Sequence, residues 1–390
     1  MELSRYSIID LNALGYNFSA VKQKVGSALV MPIVKANAYG HGIVECAQFF
    51  EQQGAYSLGV AFIEEAIQLR KVGIQIPIVV LGSIFYEQIP LFLEYSIDAT
   101  IASIEKLKQV DACAQKYGVK ARVHLKIDTG LGRIGVRASS AEQFFLAATR
   151  LKNIEIVGVC SHFATSDSPD TAYMYEQCER FYQSTLFFEK YSLPMPLRHI
   201  ANSGAIMQYP ESYFDMVRPG IMLYGIYPQT WMTQFMHLKM VLSLHARVVY
   251  FKVVQQGSGV SYGLTWRANK DTRIITIPVG YGDGYPRTLS NKGVVLIQGK
   301  RYPIVGAICM DQMMIDLGEG SAYNGDEVTL IGSSGDNKIT INELADLCGN
   351  SPYEMLVMLN LRIQRYYRTI ENELNTFSNR YSAEKTKSPQ

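Results

Sequence analysis

Two hydrophobic patterns alternate over the first two thirds of the chain. Short runs rich in Val and Ile end in polar residues, and longer runs with apolar positions three and four apart follow them. The short runs predict strands over 28–35, 56–60, 76–81, 97–101, 122–127, 156–160, 198–201 and 216–218. The longer runs predict helices over 11–25, 43–52, 63–72, 87–94, 103–117, 141–152 and 170–191, with one short turn at 203–207. Eight strands, each feeding a helix or turn, fit an α/β fold of the TIM-like (β/α)8 barrel type. A doubly wound open sheet would give similar spacing, but the GxGxxG fingerprint of a dinucleotide fold is absent after the first strand.

Near Trp231 the texture changes. Short β-branched runs recur at 240–254, 273–278, 293–298, 302–305, 313–316 and 327–331, separated by Gly and Asp turns. They predict a mainly antiparallel β domain, closed by one helix at about 341–347. The N-terminal strand-forming residues could also pack with that domain. The expected division is a barrel over 1–231, a β domain over 232–374 and a frayed polar tail over 375–390.

Composition narrows the classes of function. With 390 residues and 48% hydrophobic positions the chain can bury a large core. Basic and acidic residues nearly balance, 37 against 35, without a basic stripe, so nucleic acid and anionic membranes are poor partners. The six cysteines are scattered, with no CxxC and no metal-finger spacing, which fits reduced thiols in the cytoplasm and calls for no metal. The N-terminal residues carry Glu2, Arg5 and Asp10 and no hydrophobic signal core. The longest apolar run, 76–86, is too short to span a bilayer.

The apolar run Met31-Pro32-Ile33-Val34 leads straight into Lys35. In a barrel that position is the C-terminal mouth, where functional groups collect. A lysine there is costly to desolvate unless it loses its charge or becomes bonded, and a Schiff base meets that condition. Taken alone, Lys35 reads more simply as a strand-end lysine whose stem lies on apolar surface. Its neighbours change the weighing, because 34–42 reads VKANAYGHG.

That segment resembles, nearly letter for letter, the pyridoxal phosphate attachment site of alanine racemases. Further matches follow in register: HLKIDTGLGRIGVR (124–137), SHFATSD (161–167), HIANSGA (199–205), RPGIMLYG (218–225), GVSYG (259–263), VGYGDGYPR (279–287) and GAICMDQ (306–312). The resemblance implies a pyridoxal 5'-phosphate barrel followed by a β domain. It also implies interconversion of L- and D-alanine by a two-base mechanism, supply of D-alanine for peptidoglycan, and a homodimer whose active sites are shared between subunits.

Several residues can be read physically beside the roles the resemblance implies. Asn202-Ser203-Gly204 and Pro219-Gly220-Ile221 follow the seventh and eighth strands, where barrels commonly bind phosphate. The resemblance implies phosphate contacts from Tyr39, Ser203, Gly220 and Ile221, with Asn202 beside them. Arg218 ends the eighth strand, and an arginine can only donate a hydrogen bond. Facing the pyridine nitrogen, as in the family, it would leave the ring unprotonated and make it a weaker electron sink. Racemisation needs acid–base groups on both faces of Cα. The resemblance assigns them to Lys35 and to Tyr262 of the second subunit, with His162 sharing the phenol's proton and His199 contacting Arg218. Arg133 offers a planar fork for the substrate carboxylate, and the resemblance adds the backbone N–H of Met310. It also makes Lys126 a lysine that is carbamylated in some members, which would turn a cation into an anion that orients Arg133. Tyr353 and Tyr281 match family tyrosines that narrow the approach to the site, favouring the methyl side chain of alanine with some turnover of serine. Leu131 and Gly282 depart from the common Met and Ala without removing a functional group.

Other readings on this architecture are a serine or broad-specificity racemase, a basic amino-acid decarboxylase and a non-catalytic pyridoxal phosphate carrier. Arg218 argues against the decarboxylase, which pairs an acid with the ring nitrogen. The β domain argues against the carrier, whose relatives are barrels alone.

Overall fold

A ring of eight parallel strands occupies the N-terminal part of the chain. Leu58–Val60, Ile78–Val80, Asp98–Ile101, Ala121–Asp128, Ile154–Cys160 and Leu197–His199 pair in that order. Leu29–Val30 pairs with Met216–Val217, and backbone bonds close both remaining gaps. On one side Val34 N donates to Gly59 O at 2.9 Å; on the other, Arg218 N donates to Ala201 O at 2.9 Å. The closed barrel of the sequence reading is therefore observed, and the open sheet is not. The computed structural model describes residues 4–369, so the expected tail at 375–390 lies outside the described residues.

The helices form where apolar residues recur on one face and the ends are capped. Leu11–Val25 is a representative case. Asp10 accepts from Asn12 N and Ala13 N, Lys22 and Lys24 lie in the last turn, and Gly26 ends the helix at φ +65°. Its buried stripe includes Asn17, whose side chain is fully bonded to the backbone of Leu223 and Lys239. A buried amide in an apolar stripe is tolerated because each of those bonds is made.

The N-terminal strand Arg5–Asp10 belongs to the second sheet, as the sequence reading allowed. It pairs antiparallel with Leu242–Arg247 and parallel with Gln364–Arg368. The rest of that sheet is antiparallel. Beyond Leu242–Arg247 it runs through Glu327–Ser334, Val294–Ile297, Lys300–Val305, Met313–Gly318 and Thr272–Ile277 to Tyr250–Val254. The single run expected at 240–254 is two strands. The adjacent residues Val248 and Val249 donate to Asp326 O, just before Glu327–Ser334, and to Thr276 O, on Thr272–Ile277, strands far apart in the sheet, so the sheet curls back on itself. Strand propensity is continuous across that bend, which is why the hydrophobic pattern does not mark it. The helix Pro352–Met358 and the strand Gln364–Arg368 were not expected, nor were the short strands Val136–Arg137, Gly259–Val260, Trp266–Arg267 and Asn337–Ile339. No helix among the described residues is long and apolar enough to cross a membrane.

Candidate active site

A cavity of about 610 Å³ opens at the C-terminal ends of the barrel strands. Lys35, Tyr39, Lys126, Arg133, His162, Asn202, Ser203, Arg218, Gly220, Ile221 and Tyr353 all line it. Among the described residues its lining holds four cationic side chains, Lys35, Lys126, Arg133 and Arg218, and no carboxylate. A cavity so lined favours an anionic ligand. A second cavity, about 680 Å³, lies between the barrel's exit segment and the second sheet, and none of these residues lines it.

Lys35 is not simply the end of a strand. It opens a turn in which Ala36, Asn37, Ala38 and Tyr39 all have φ between +51° and +55°. Left-handed helical backbone costs an L-residue roughly 1–2 kcal/mol. The surroundings hold the turn by many bonds. Ala38 N donates to Val34 O, Gly40 N to Ala36 O, and Gly42 N to Asn37 O. The Asn37 side chain accepts from Ile43 N at 2.9 Å. Buried His41 bonds the carbonyls of Ala38 and Tyr39, and burial pushes its pKa down to about 4. From the last strand of the second sheet, Arg365 Nε donates to Gly40 O at 2.6 Å and Tyr367 Oη to His41 O at 3.1 Å. Glycine is required at 42, because a Cβ there would lie 1.8 Å from the Tyr367 hydroxyl.

Ser203 and Gly220 meet across the seventh and eighth strand ends. Ser203 Oγ accepts from Gly220 N at 2.9 Å and from Met222 N at 3.4 Å, which leaves its hydroxyl hydrogen free to donate. Tyr39 places its hydroxyl beside Gly220, where a Cβ would come within 2.6 Å of it. Its ring is buried between Tyr224 and Tyr353. Asn202 accepts from Ala205 N and caps the short helix Ser203–Gln208.

Arg218 is buried, with no carboxylate partner among the described residues. It donates to the carbonyls of His199, Ser161 and Ile200 and to the ring nitrogens Nδ1 of His199, at 2.7 Å, and of His162, at 3.3 Å. Burial lowers its pKa to about 10, so it keeps its proton at neutral pH. A guanidinium only donates, which fixes the histidines in turn. His199 Nδ1 must accept, so its proton sits on Nε2 and goes to His124 Nδ1 at 2.9 Å. The His124 proton then sits on Nε2, 3.5 Å from Asp98, whose carboxylate also takes two bonds from Arg122. Burial first, then the charge of Arg218, holds His162 and His199 well below the usual histidine range. Both are neutral donors in a fixed tautomer. Lys126 faces Cys160 across the fifth and sixth barrel strands, and burial lowers its amine to about 8.

The cavity does not include Tyr262, Tyr281 or Met310. They are 71%, 43% and 53% exposed and lie together on the second sheet's loops. Tyr281 N donates to Cys309 O and Gly282 N to Met310 O, while Ser261 Oγ donates to Ala307 O. Sequence reasoning missed Asp98, the wider role of His124, and Glu65, whose carboxylate caps the start of the Lys35 turn. All three act through contacts far apart in sequence.

A closed parallel barrel with an anion-seeking mouth, joined to an antiparallel β domain, defines the class: an α/β-barrel enzyme whose functional groups sit on its C-terminal loops. Comparison with known proteins gives the family. The family description "Alanine racemase, N-terminal domain" matches residues 9–228, and "Alanine racemase, C-terminal domain" matches 241–367. An alanine racemase of Halothermothrix orenii is 42% identical over 92% of this chain and 96% of its own length. The structure of the Streptomyces lavendulae alanine racemase superposes with a TM-score of 0.90 at 34% identity, covering 95% of this chain and 99% of that one. The Bartonella henselae enzyme, solved with covalently bound pyridoxal phosphate, gives 0.85 at 29% identity, with 94% and 100% coverage. The chain belongs to the alanine racemase family.

Proposed function

We propose that this protein interconverts L- and D-alanine with pyridoxal 5'-phosphate as its cofactor. The observation that carries the reading is the barrel mouth, with Lys35, Lys126, Arg133 and Arg218 around one cavity and, among the described residues, no carboxylate in its lining. The residues fit the cofactor. The free hydroxyl hydrogen of Ser203, the Tyr39 hydroxyl and the side-chain-free Gly220 suit a phosphate. Arg218 suits a ring nitrogen that accepts a hydrogen bond. Lys35 suits the aldehyde, because burial and the nearby Arg133 lower its amine's pKa and favour the nucleophilic neutral form.

When bound, pyridoxal phosphate supplies a conjugated ring that takes up the electron pair left as the Cα–H bond breaks. Arg218, held on its other side by His199 and three carbonyls, presents a donor to the ring nitrogen and no proton it would give up. Arg133 binds the substrate carboxylate. Lys35 holds or removes the α-proton on one face of Cα, and Tyr262 on the other. His162 presents its Nε2–H to the cavity because its Nδ1 is occupied by Arg218. That places a neutral donor where the phenol of Tyr262 needs a partner. A Lys126 amine near pKa 8 has a substantial neutral fraction, the form that captures carbon dioxide as a carbamate. The resulting anion would orient Arg133.

One chain holds two half-sites, the mouth and the exposed Tyr262–Tyr281–Met310 face. We assign the complete site to a homodimer in which each chain's face covers the other's mouth. Tyr353, packed on Tyr39, closes the mouth from its own chain, which favours alanine over serine. The role is D-alanine supply for peptidoglycan, and the compartment is the cytoplasm, in keeping with six free cysteines.

The test is racemisation in heavy water. Protein with added pyridoxal phosphate meets L-alanine and, separately, L-serine. Deuterated D-alanine forming faster than D-serine supports both the reaction and its preference. Deuterium entering L-alanine without any D-isomer would refute the two-base assignment. No exchange with either amino acid would refute the racemase reading.

A further inference from the structure

The left-handed turn that begins at Lys35 is anchored from outside by one carboxylate. Glu65, on the helix Ile63–Lys71, accepts from Ala36 N at 2.7 Å through one oxygen. Its other oxygen accepts from Ala61 N at 2.7 Å and from Phe62 N at 3.2 Å. The bonds to Ala61 and Phe62 are those expected of an acidic residue capping its own helix. The bond to Ala36 is not, since it reaches another strand's loop. It fixes the peptide unit immediately after Lys35, and so the direction in which that side chain leaves the backbone.

We propose that Glu65 is a positioning residue for Lys35, ordering the strained turn so that the amine meets the cofactor aldehyde. This rests on the reading of Lys35 as the attachment residue. The turn needs such an anchor, because four successive L-residues with positive φ have no intrinsic preference for that shape. A carboxylate is the suitable group. It offers two acceptor oxygens to backbone donors on both sides, whereas an amide offers one. Charge acts in the opposite sense, so it is the position of Glu65 and not its charge that serves Lys35. Arg133 and Arg218 press the Lys35 ammonium towards losing its proton, and Glu65 opposes them.

The experiment uses the full chain freed of cofactor, with two probes. Pyridoxal phosphate bonds to Lys35, its aldehyde oxygen leaving as water as the Nζ–C bond forms. Pyridoxamine phosphate carries an amine instead of the aldehyde and makes no such bond. Glu65→Gln is expected to weaken pyridoxal phosphate about tenfold or more and to change pyridoxamine phosphate by less than about twofold. Circular dichroism and the unfolding midpoint report whether the variant is folded. If it is not, Glu65→Asp keeps the charge but withdraws the carboxylate by one methylene, and the same selective loss is expected. Equal losses for both probes would make Glu65 a general scaffold residue and overturn the proposal, as would no loss for either. The Lys35 reading is checked separately. If Lys35→Ala still yields a borohydride-fixed cofactor adduct at full stoichiometry, that reading fails whatever Glu65→Gln does.

Discussion

Two inactive chains should rescue each other if the site is shared between subunits. Lys35 lies in the barrel mouth, while Tyr262 stands 71% exposed on the second sheet and outside that cavity. Consider Lys35→Ala and Tyr262→Phe chains, co-expressed with different affinity tags and purified over both. In the mixed dimer one site takes Lys35 from the Tyr262→Phe chain and Tyr262 from the Lys35→Ala chain, so it is intact. The other site lacks both groups. Each parental homodimer should fall roughly 100- to 10,000-fold, the usual loss for an acid–base group. The mixed dimer should recover about half of the wild-type rate, one working site in two, by the symmetry of an isologous pair. Racemisation of L-alanine followed by chiral chromatography reads the result, with each homodimer carried through the same two-tag procedure as control. If Lys35 and Tyr262 act within a single chain, every site in the mixed dimer lacks one of them. A mixed dimer no more active than the homodimers would therefore refute the shared site.

Two further outcomes follow from the mouth itself. Gly220→Ala meets a backbone at φ −114° and ψ −103°, outside the regions ordinary for an L-residue, and the new Cβ would lie 2.6 Å from the Tyr39 hydroxyl. Tyr39 is wedged against Tyr224 and Tyr353, so we expect about 1–3 kcal/mol lost in urea unfolding. Pyridoxal phosphate should also bind more weakly, and both effects should shrink in a Tyr39→Phe background, where the clashing oxygen is gone. Lys126 gives a pH-dependent result in buffer free of carbon dioxide. Its folded pKa of about 8 lies below the unfolded value near 10.4. Below about pH 8 it is protonated in both states, and the folded chain carries the full penalty of the buried cation. As pH rises from about 8 towards 10.4 the unfolded chain binds more protons, so stability increases. Lys126→Met should therefore be more stable than the parent at pH 7, by at most about 3 kcal/mol, with the gap closing near pH 10. A gap that stays constant from pH 7 to pH 10 would refute the depressed amine.

The barrel was legible because each strand is a compact apolar run that must be buried on both faces, a signal local in sequence. The helix Pro352–Met358 was legible in principle. Ser351, Pro352 and Glu354 form a capping signature, in a segment where no strand pattern competes with it. The strand Gln364–Arg368 was not legible, since QRYYR is polar and owes its conformation to pairing with Arg5–Asp10, more than three hundred residues away. The site divides along the same line. Motifs in register named Lys35, Arg218 and Tyr262, but they said nothing of the shape that presents them. Of Ala36-Asn37-Ala38 only Asn37 is at ease in left-handed backbone, and alanine taken alone favours the right-handed helix. The turn is imposed by Glu65, Arg365 and Tyr367, which reach it from a neighbouring helix and from the far end of the chain. The histidine tautomers obey the same logic. They are set by one guanidinium that cannot accept, bonded to His199, and by one carboxylate that cannot donate, 3.5 Å from His124 at the other end of a buried row of groups. Arg218 and Asp98 are 120 residues apart, so only the closed barrel makes them a single device. The candidate catalytic groups of this protein are thus written locally, and the constraints that aim them are written in the topology.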